Sequence, residues 1–177
     1  MNGKSNAQHP WRVLDPKFRH HAGKYVFQCV AAMVAIFLTL TLLDAVKQTV
    51  LVAALGASSF IVFTMPRRER SKARYLIGGY AVSIAVGILF SFLNTASTGL
   101  SPALFGVSQS IAFAAMATGI AMFLMVVTDT EHPPAAGLAL GFVLNEWDLL
   151  TIAVVIVGIC AICAIKGLCR SSLMDLI

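Results

Sequence analysis

Thr128-Asp129-Thr130-Glu131-His132-Pro133-Pro134-Ala135-Ala136-Gly137 is the stretch on which the fold of this chain turns. Before it runs Val107 to Val127, without a charged residue, and after it Pro133 to Asn145 supplies thirteen mostly apolar residues. A helix crossing a hydrocarbon core of about 30 Å needs about 20 apolar residues. The preceding run is long enough, whereas the following one reaches only about 20 Å at 1.5 Å per residue. If the short segment crosses, the chain passes the membrane six times and the Thr128–His132 stretch climbs back into the bilayer. If it only re-enters, there are five passes.

Composition leads to the same solvent. Of 177 residues, 58% are apolar and 12% charged, against about 45–50% and about 25% in a soluble domain. A chain of this size has too little interior to hide so much apolar surface, which excludes a soluble globular protein. Three further runs, Tyr25 to Leu43, Tyr75 to Leu93 and Leu149 to Leu168, reach spanning length, and Val50 to Met65 is a second short one. The expected fold is all-α, a polytopic membrane helix bundle of about six segments: four full spans plus two short or interrupted helices. Three helical hairpins, broken at residues 44–49, 94–106 and 145–148, form a weak repeat.

The first run follows 24 more polar residues and continues directly into further membrane, so it reads as a retained anchor rather than a signal peptide. Residues 1–24 form an interfacial tail, with Trp11, Val13, Leu14 and Phe18 set among Arg12, Lys17 and Arg19. Residues 25–170 form the membrane domain and 171–177 a short C-terminal tail. The net charge of +5 is carried in clusters between apolar runs. The partner this implies is the lipid bilayer and its headgroups rather than nucleic acid. With six passes, every Lys and Arg except Lys47 falls on one side, which places the N-terminus in the cytoplasm. The acidic turn Asn145-Glu146-Trp147-Asp148 then lies outside.

The six-pass arrangement starts the Pro133 helix about 10 Å inside the cytoplasmic edge. Irregular backbone and ionisable groups at that depth need protein or a water-filled cavity around them. His132 precedes proline and is expected extended, with Pro133 at the first helical position. The first available donors are the N–H groups of Ala135, Ala136 and Gly137, where the helix dipole is positive, so a small anion is the natural guest. Thr128 and Thr130 add hydroxyls. Asp129 and Glu131 weigh against a simple anion trap; with His132 they form a charge-coupling set, either orienting the imidazole or favouring a cation or proton.

Gly56-Ala57-Ser58-Ser59 interrupts the other short run. Ser58 would sit about 12 Å deep. Two readings stand side by side: Ser58 or Ser59 caps a fresh half-helix, giving the paired broken helices of a transporter site, or the small residues only let two helices approach.

The Thr128–Gly137 stretch, together with Leu55-Gly56-Ala57-Ser58-Ser59-Phe60 and the glycine-bearing span from Tyr75, resembles the HPP family of integral membrane proteins over roughly residues 25–168. That resemblance implies a small bacterial or plastid membrane transporter, with some members similar to nitrite transporters of chloroplasts and cyanobacteria. For this chain it implies transport of a small inorganic anion, most readily nitrite, across a bacterial inner membrane. Ser59 departs from the small residue that often follows Gly-Ala-Ser. No regulation by the CBS domains appended in some relatives is expected.

The remaining features read as structure. Gly79, Ser83 and Gly87 fall on one helical face and form a packing seam that also suits a homo-oligomer. Cys160 and Cys163 lie inside an apolar run without a zinc spacing to Cys29 or Cys169, so neither metal nor cofactor is expected. His9, His20 and His21 belong to the tail, and Gln28, Asn94 and Gln109 either join helices or line a path. Arg67 to Arg74 fixes topology and can concentrate anions at the cytoplasmic mouth. A hydrolase using Ser58 or Ser59 with His132 lacks the second glycine of a nucleophile elbow; a non-transporting scaffold or sensor is the third class. The chain is not expected to be an enzyme.

Overall fold

The computed structural model describes residues 18–43, 49–97 and 109–176. Residues 1–17, which hold most of the expected interfacial tail, and residues 44–48, 98–108 and 177 lie outside these. The described chain forms six α-helices in the order α1 (Phe18–Leu43), α2 (Thr49–Thr64), α3 (Ala73–Ala96), α4 (Gln109–Val127), α5 (Pro133–Leu144) and α6 (Leu149–Cys169), with a 3-10 turn at Glu69–Ser71 between α2 and α3. No strand occurs among the described residues. Helices α3, α4 and α6 are each long and apolar enough to cross a membrane, and α2 and α5 are the shorter apolar helices.

Two boundaries differ from expectation. Helix α1 begins at Phe18, well before the apolar run, and takes a kink at His21 (φ −132, ψ 22) on the way in. His20, His21 and Lys24 of its first turns are exposed, so the backbone turns helical before the side chains turn apolar. The second difference is a correction: α2 does not break at Gly56–Ser59 but runs continuously from Thr49 to Thr64. A glycine inside a helix costs only about 1 kcal/mol relative to alanine, which the surrounding helix-forming and apolar residues absorb.

Helix α3 packs between α4 and α5, α5 also meets α2, and α1 packs on α2 and α6. The contact faces carry small residues: Ala114, Ala117 and Ala121 of α4 and Ala135 and Ala139 of α5 are almost fully buried, while Ile111, Met122, Phe123 and Val127 of α4 point outward. Helix α4 thus turns mainly alanines inward and large apolar residues outward, as a helix solvated by lipid does where close backbone approach holds helices together, while Tyr80 of α3 and Leu138 and Phe142 of α5 are large side chains buried in the same core. Gly87 is the tightest element of the seam between α3 and α5, because a Cβ there would meet Phe142 Cβ at 2.8 Å and Ala139 Cα at 3.1 Å.

Hydrogen bonds fix which turns share an end of the bundle. At one end, Arg70 pairs with Glu131 at 3.3 Å and Arg74 with Asp129 at 3.2 Å, and Lys166 donates to the Ser71 carbonyl. The C-terminal residues fold onto this end as well. Leu176 N–H donates to Thr64 O at 2.8 Å, Tyr25 OH to Leu176 O at 2.9 Å and Gln28 Nε2 to Met174 O at 2.9 Å. At the other end, Trp147 Nε1 donates to Ser91 Oγ at 2.9 Å and Gln109 Nε2 to Asn94 O at 2.9 Å. Helix α5 thus runs from the basic end to the opposite end instead of doubling back. Its 12 residues cover about 18 Å, and the segment before it makes up the difference.

Candidate functional site

Two glycines on α3 make room for that segment. A Cβ on Gly78 would run into the Thr130 side chain, and one on Gly79 would lie 2.8 Å from His132 Cβ and 3.0 Å from the Thr130 carbonyl. The turn out of α4 is made at Asp129, whose φ of 51° puts it in the left-handed region, which aspartate tolerates better than most residues. Thr130 N–H then returns to Met125 O at 2.9 Å. From there the chain dips along α3 until His132, extended at φ −135 and ψ 96, opens α5 with Pro133 and Pro134 behind it, as the residue preference before proline requires.

His132 is 1% exposed, and its Nε2 lies 2.8 Å from Ser58 Oγ. Ser58 Oγ lies equally 2.8 Å from the hydroxyl of Tyr80, and both residues are buried. Ser58 sits six residues from the end of α2 and Tyr80 seven into α3, which is about 9 and 10 Å along the helices from the basic end. The serine is the hub, since a hydroxyl donates once and accepts from others. Either Tyr80 donates to Ser58 and Ser58 to Nε2, leaving the ring proton on Nδ1, or Nε2–H donates to Ser58 and Ser58 to Tyr80, leaving Nδ1 as an acceptor. Nδ1 has no hydrogen bond of ordinary geometry, although the Arg70 backbone acts on the ring, and the Ser83 hydroxyl one turn beyond Tyr80 is buried without a partner. Buried polar atoms of this kind are uncommon and costly.

The other expected site residues are distributed around this chain of hydrogen bonds. Ser59 turns the other way, towards Ala32 O of α1 at 3.4 Å, Ala57 is exposed, and Gly56 has open space where a side chain would stand. Thr128 OH binds Leu124 O at 2.8 Å and lies 2.8 Å from Thr130 Oγ1. Asp129, which also accepts from Tyr75 OH at 3.1 Å, and Glu131 face the rim, where their partners are Arg74 and Arg70. Pro133 is exposed, Ala135 and Ala136 are buried and Gly137 is half-buried. The donors expected at the start of α5 are in use. Both prolines lack an N–H, Ala135 N–H donates to His132 O at 2.9 Å, and Ala136 and Gly137 enter the i→i−4 ladder. What this end offers is dipole potential, not free backbone donors.

Tyr80 was not singled out in the sequence, and Ser83 was read there only as part of a packing seam. Their signal was the spacing Tyr80, Ser83, Gly87, which puts two hydroxyls on the face of α3 that the glycine marks as buried. Among the described residues no cluster of His, Cys, Asp or Glu has the makings of a metal site, and all four cysteines are free.

Fold and site together define a multi-pass helical membrane protein with a buried polar chain that joins its two short helices directly and ties both to α3. The sequence matches the family described as HPP, transmembrane region, over residues 17–173, and the chain belongs to that family. No curated protein and no solved structure matches it.

Proposed function

We propose that this chain is a transporter or channel for a small inorganic anion, with nitrite as the leading substrate, and that the substrate passes Ser58, Tyr80 and His132. The observation that carries the reading is the pair of 2.8 Å hydrogen bonds from Ser58 to Tyr80 and His132, held inside a bundle whose buried residues are mostly apolar. Polar and ionisable groups at membrane depth are expensive and mark substrate pathways. The side chains, rather than the α5 backbone, supply the donors: with Ser58 donating to Nε2, the imidazole presents Nδ1–H. The α5 dipole adds positive potential. Asp129 and Glu131 are paired with Arg74 and Arg70, so the mouth stays positive and gathers anions. In this reading the basic end is the cytoplasmic face of a bacterial plasma membrane.

The test is a flux panel in proteoliposomes with nitrite, nitrate, formate, chloride and potassium, with and without a pH gradient. Nitrite flux well above that of potassium supports the reading; potassium flux without anion flux overturns it.

One observation favours the hydrolase alternative, since 2.8 Å between Ser58 Oγ and His132 Nε2 is the spacing of a nucleophile and its base. A base also needs an orienting group on Nδ1, and no carboxylate occupies that position among the described residues. We therefore propose that the chain is not an enzyme. A fluorophosphonate adduct lost in Ser58→Ala would reverse that.

A further inference from the structure

A second polar feature lies at the basic end, away from His132. The end of α2, the start of α3, the last turns of α6 and the C-terminal residues enclose a cavity of about 640 Å³, lined by Arg67, Lys72, Lys166 and Arg170 and by apolar groups including Cys163 and Leu173. Among the described residues no acidic side chain lines it. We propose that this cavity binds a phosphoryl anion and that its occupant is the phosphate headgroup of an anionic membrane lipid.

Four cations from three chain segments face one space, a standing repulsion unless an anion relieves it. Other cations of the same end have internal partners: Arg70 and Arg74 pair with Glu131 and Asp129. Arg67, Lys166 and Arg170 have no carboxylate within ion-pair distance among the described residues, although Lys166 donates to the Ser71 carbonyl and feels the charge of Asp175 at longer range. Asp175 spends one oxygen on the Arg67 backbone N–H at 3.0 Å and does not line the cavity. Lys72 pairs with Glu69 through two exposed side chains, a weak contact that a phosphate displaces at little cost. Two guanidinium groups supply the planar fork that suits phosphate oxygens.

Size and lining choose between sources of phosphate. The cavity is far larger than an inorganic phosphate fills, and its apolar part suits the glycerol and the first acyl carbons of a lipid. It also opens at a membrane face, where basic pockets between helices meet anionic headgroups.

The experiment is native mass spectrometry of the full chain in neutral detergent with equimolar phosphatidylglycerol and phosphatidylcholine. Wild type should retain phosphatidylglycerol about thirtyfold over phosphatidylcholine, given about 1 kcal/mol for each of two cations. Arg67→Gln/Arg170→Gln should lose the preference, and Arg68→Gln/Arg74→Gln, which removes the same charge at the same end outside the cavity, should keep it. Arg170→Gln alone should give an intermediate value, which keeps the test valid if the double variant elutes as aggregate. A parallel arm adds inorganic phosphate at millimolar concentration: no displacement supports the lipid, and displacement assigns the cavity to the free anion, overturning the lipid as its occupant. Preference unchanged in Arg67→Gln/Arg170→Gln, or lost equally in Arg68→Gln/Arg74→Gln, overturns the site. The readout is binding, independent of transport, so failure of either proposal leaves the other standing.

Discussion

Ser58 is the residue on which the buried chain depends, because its one oxygen serves both neighbours. Tyr80→Phe removes a single buried hydrogen bond and leaves Ser58 with His132, a loss of about 1 kcal/mol, whereas Ser58→Ala strands both the tyrosine hydroxyl and Nε2, at about 1–3 kcal/mol for each group left buried and unpaired. Thermal unfolding in detergent should therefore rank wild type above Tyr80→Phe and Tyr80→Phe above Ser58→Ala; the reverse order would deny the serine its role. Ser58 and His132 were legible in the sequence because each interrupts an apolar run that is too short. Tyr80 was not, since an aromatic ring inside a full-length run raises no alarm, and its hydroxyl gains meaning only from the serine of another helix.

At the scale of elements, the glycines separate into those that position the site and those that do not. Gly79→Ala puts a methyl group against His132 Cβ and the Thr130 backbone, neither of which is a flexible side-chain end. The expected result is a destabilisation of about 1–3 kcal/mol, as for an overpacked core, together with loss of transport. Gly56→Ala meets nothing within 4 Å and should be neutral or stabilising by up to about 1 kcal/mol. Transport retained in Gly56→Ala and lost in Gly79→Ala checks both. Sequence reading placed the special element at Gly56 because glycine next to serines imitates a helix break; whether a helix continues is settled by packing, which one strand of sequence does not display. The start of α5 was legible from its prolines alone, but that its donors are used internally was not, since this depends on Ala135 closing back on His132.

The other end of the bundle carries a pH prediction. Asp148 caps α6, accepting from Thr151 N–H and Oγ1, each at 2.7 Å, and these bonds hold its carboxyl below the usual aspartate range. A depressed carboxyl contributes stability above its unfolded pKa and loses it as the pH falls through the folded value. Amide protection factors at residues 149–152, corrected for intrinsic exchange, should fall below the ordinary aspartate range and stay flat above it, and Asp148→Asn should remove that dependence.

At the scale of the whole molecule, α5 starts at the level of Ser58, about 9 Å before α2 ends, because the Ser58–His132 hydrogen bond joins the two short helices there. Composition established the bilayer and run lengths established the helices, and the clustering of basic residues already grouped the turns that Arg70–Glu131 and Arg74–Asp129 bring together. The docked C-terminal residues were not legible, since a seven-residue tail carrying Leu173 and Leu176 is too short to show a helical or strand period. Cysteines placed at 69 and 146 on a cysteine-free background should label from opposite faces of the membrane; labelling from one face would contradict the six-pass arrangement. The central claim is that anion passage runs by His132. Nitrite uptake into proteoliposomes, compared for wild type and His132→Ala at equal inserted protein, tests it most directly. A fall of about tenfold or more is predicted, the worth of one strong buried hydrogen bond in the path, and wild-type uptake by His132→Ala would contradict it.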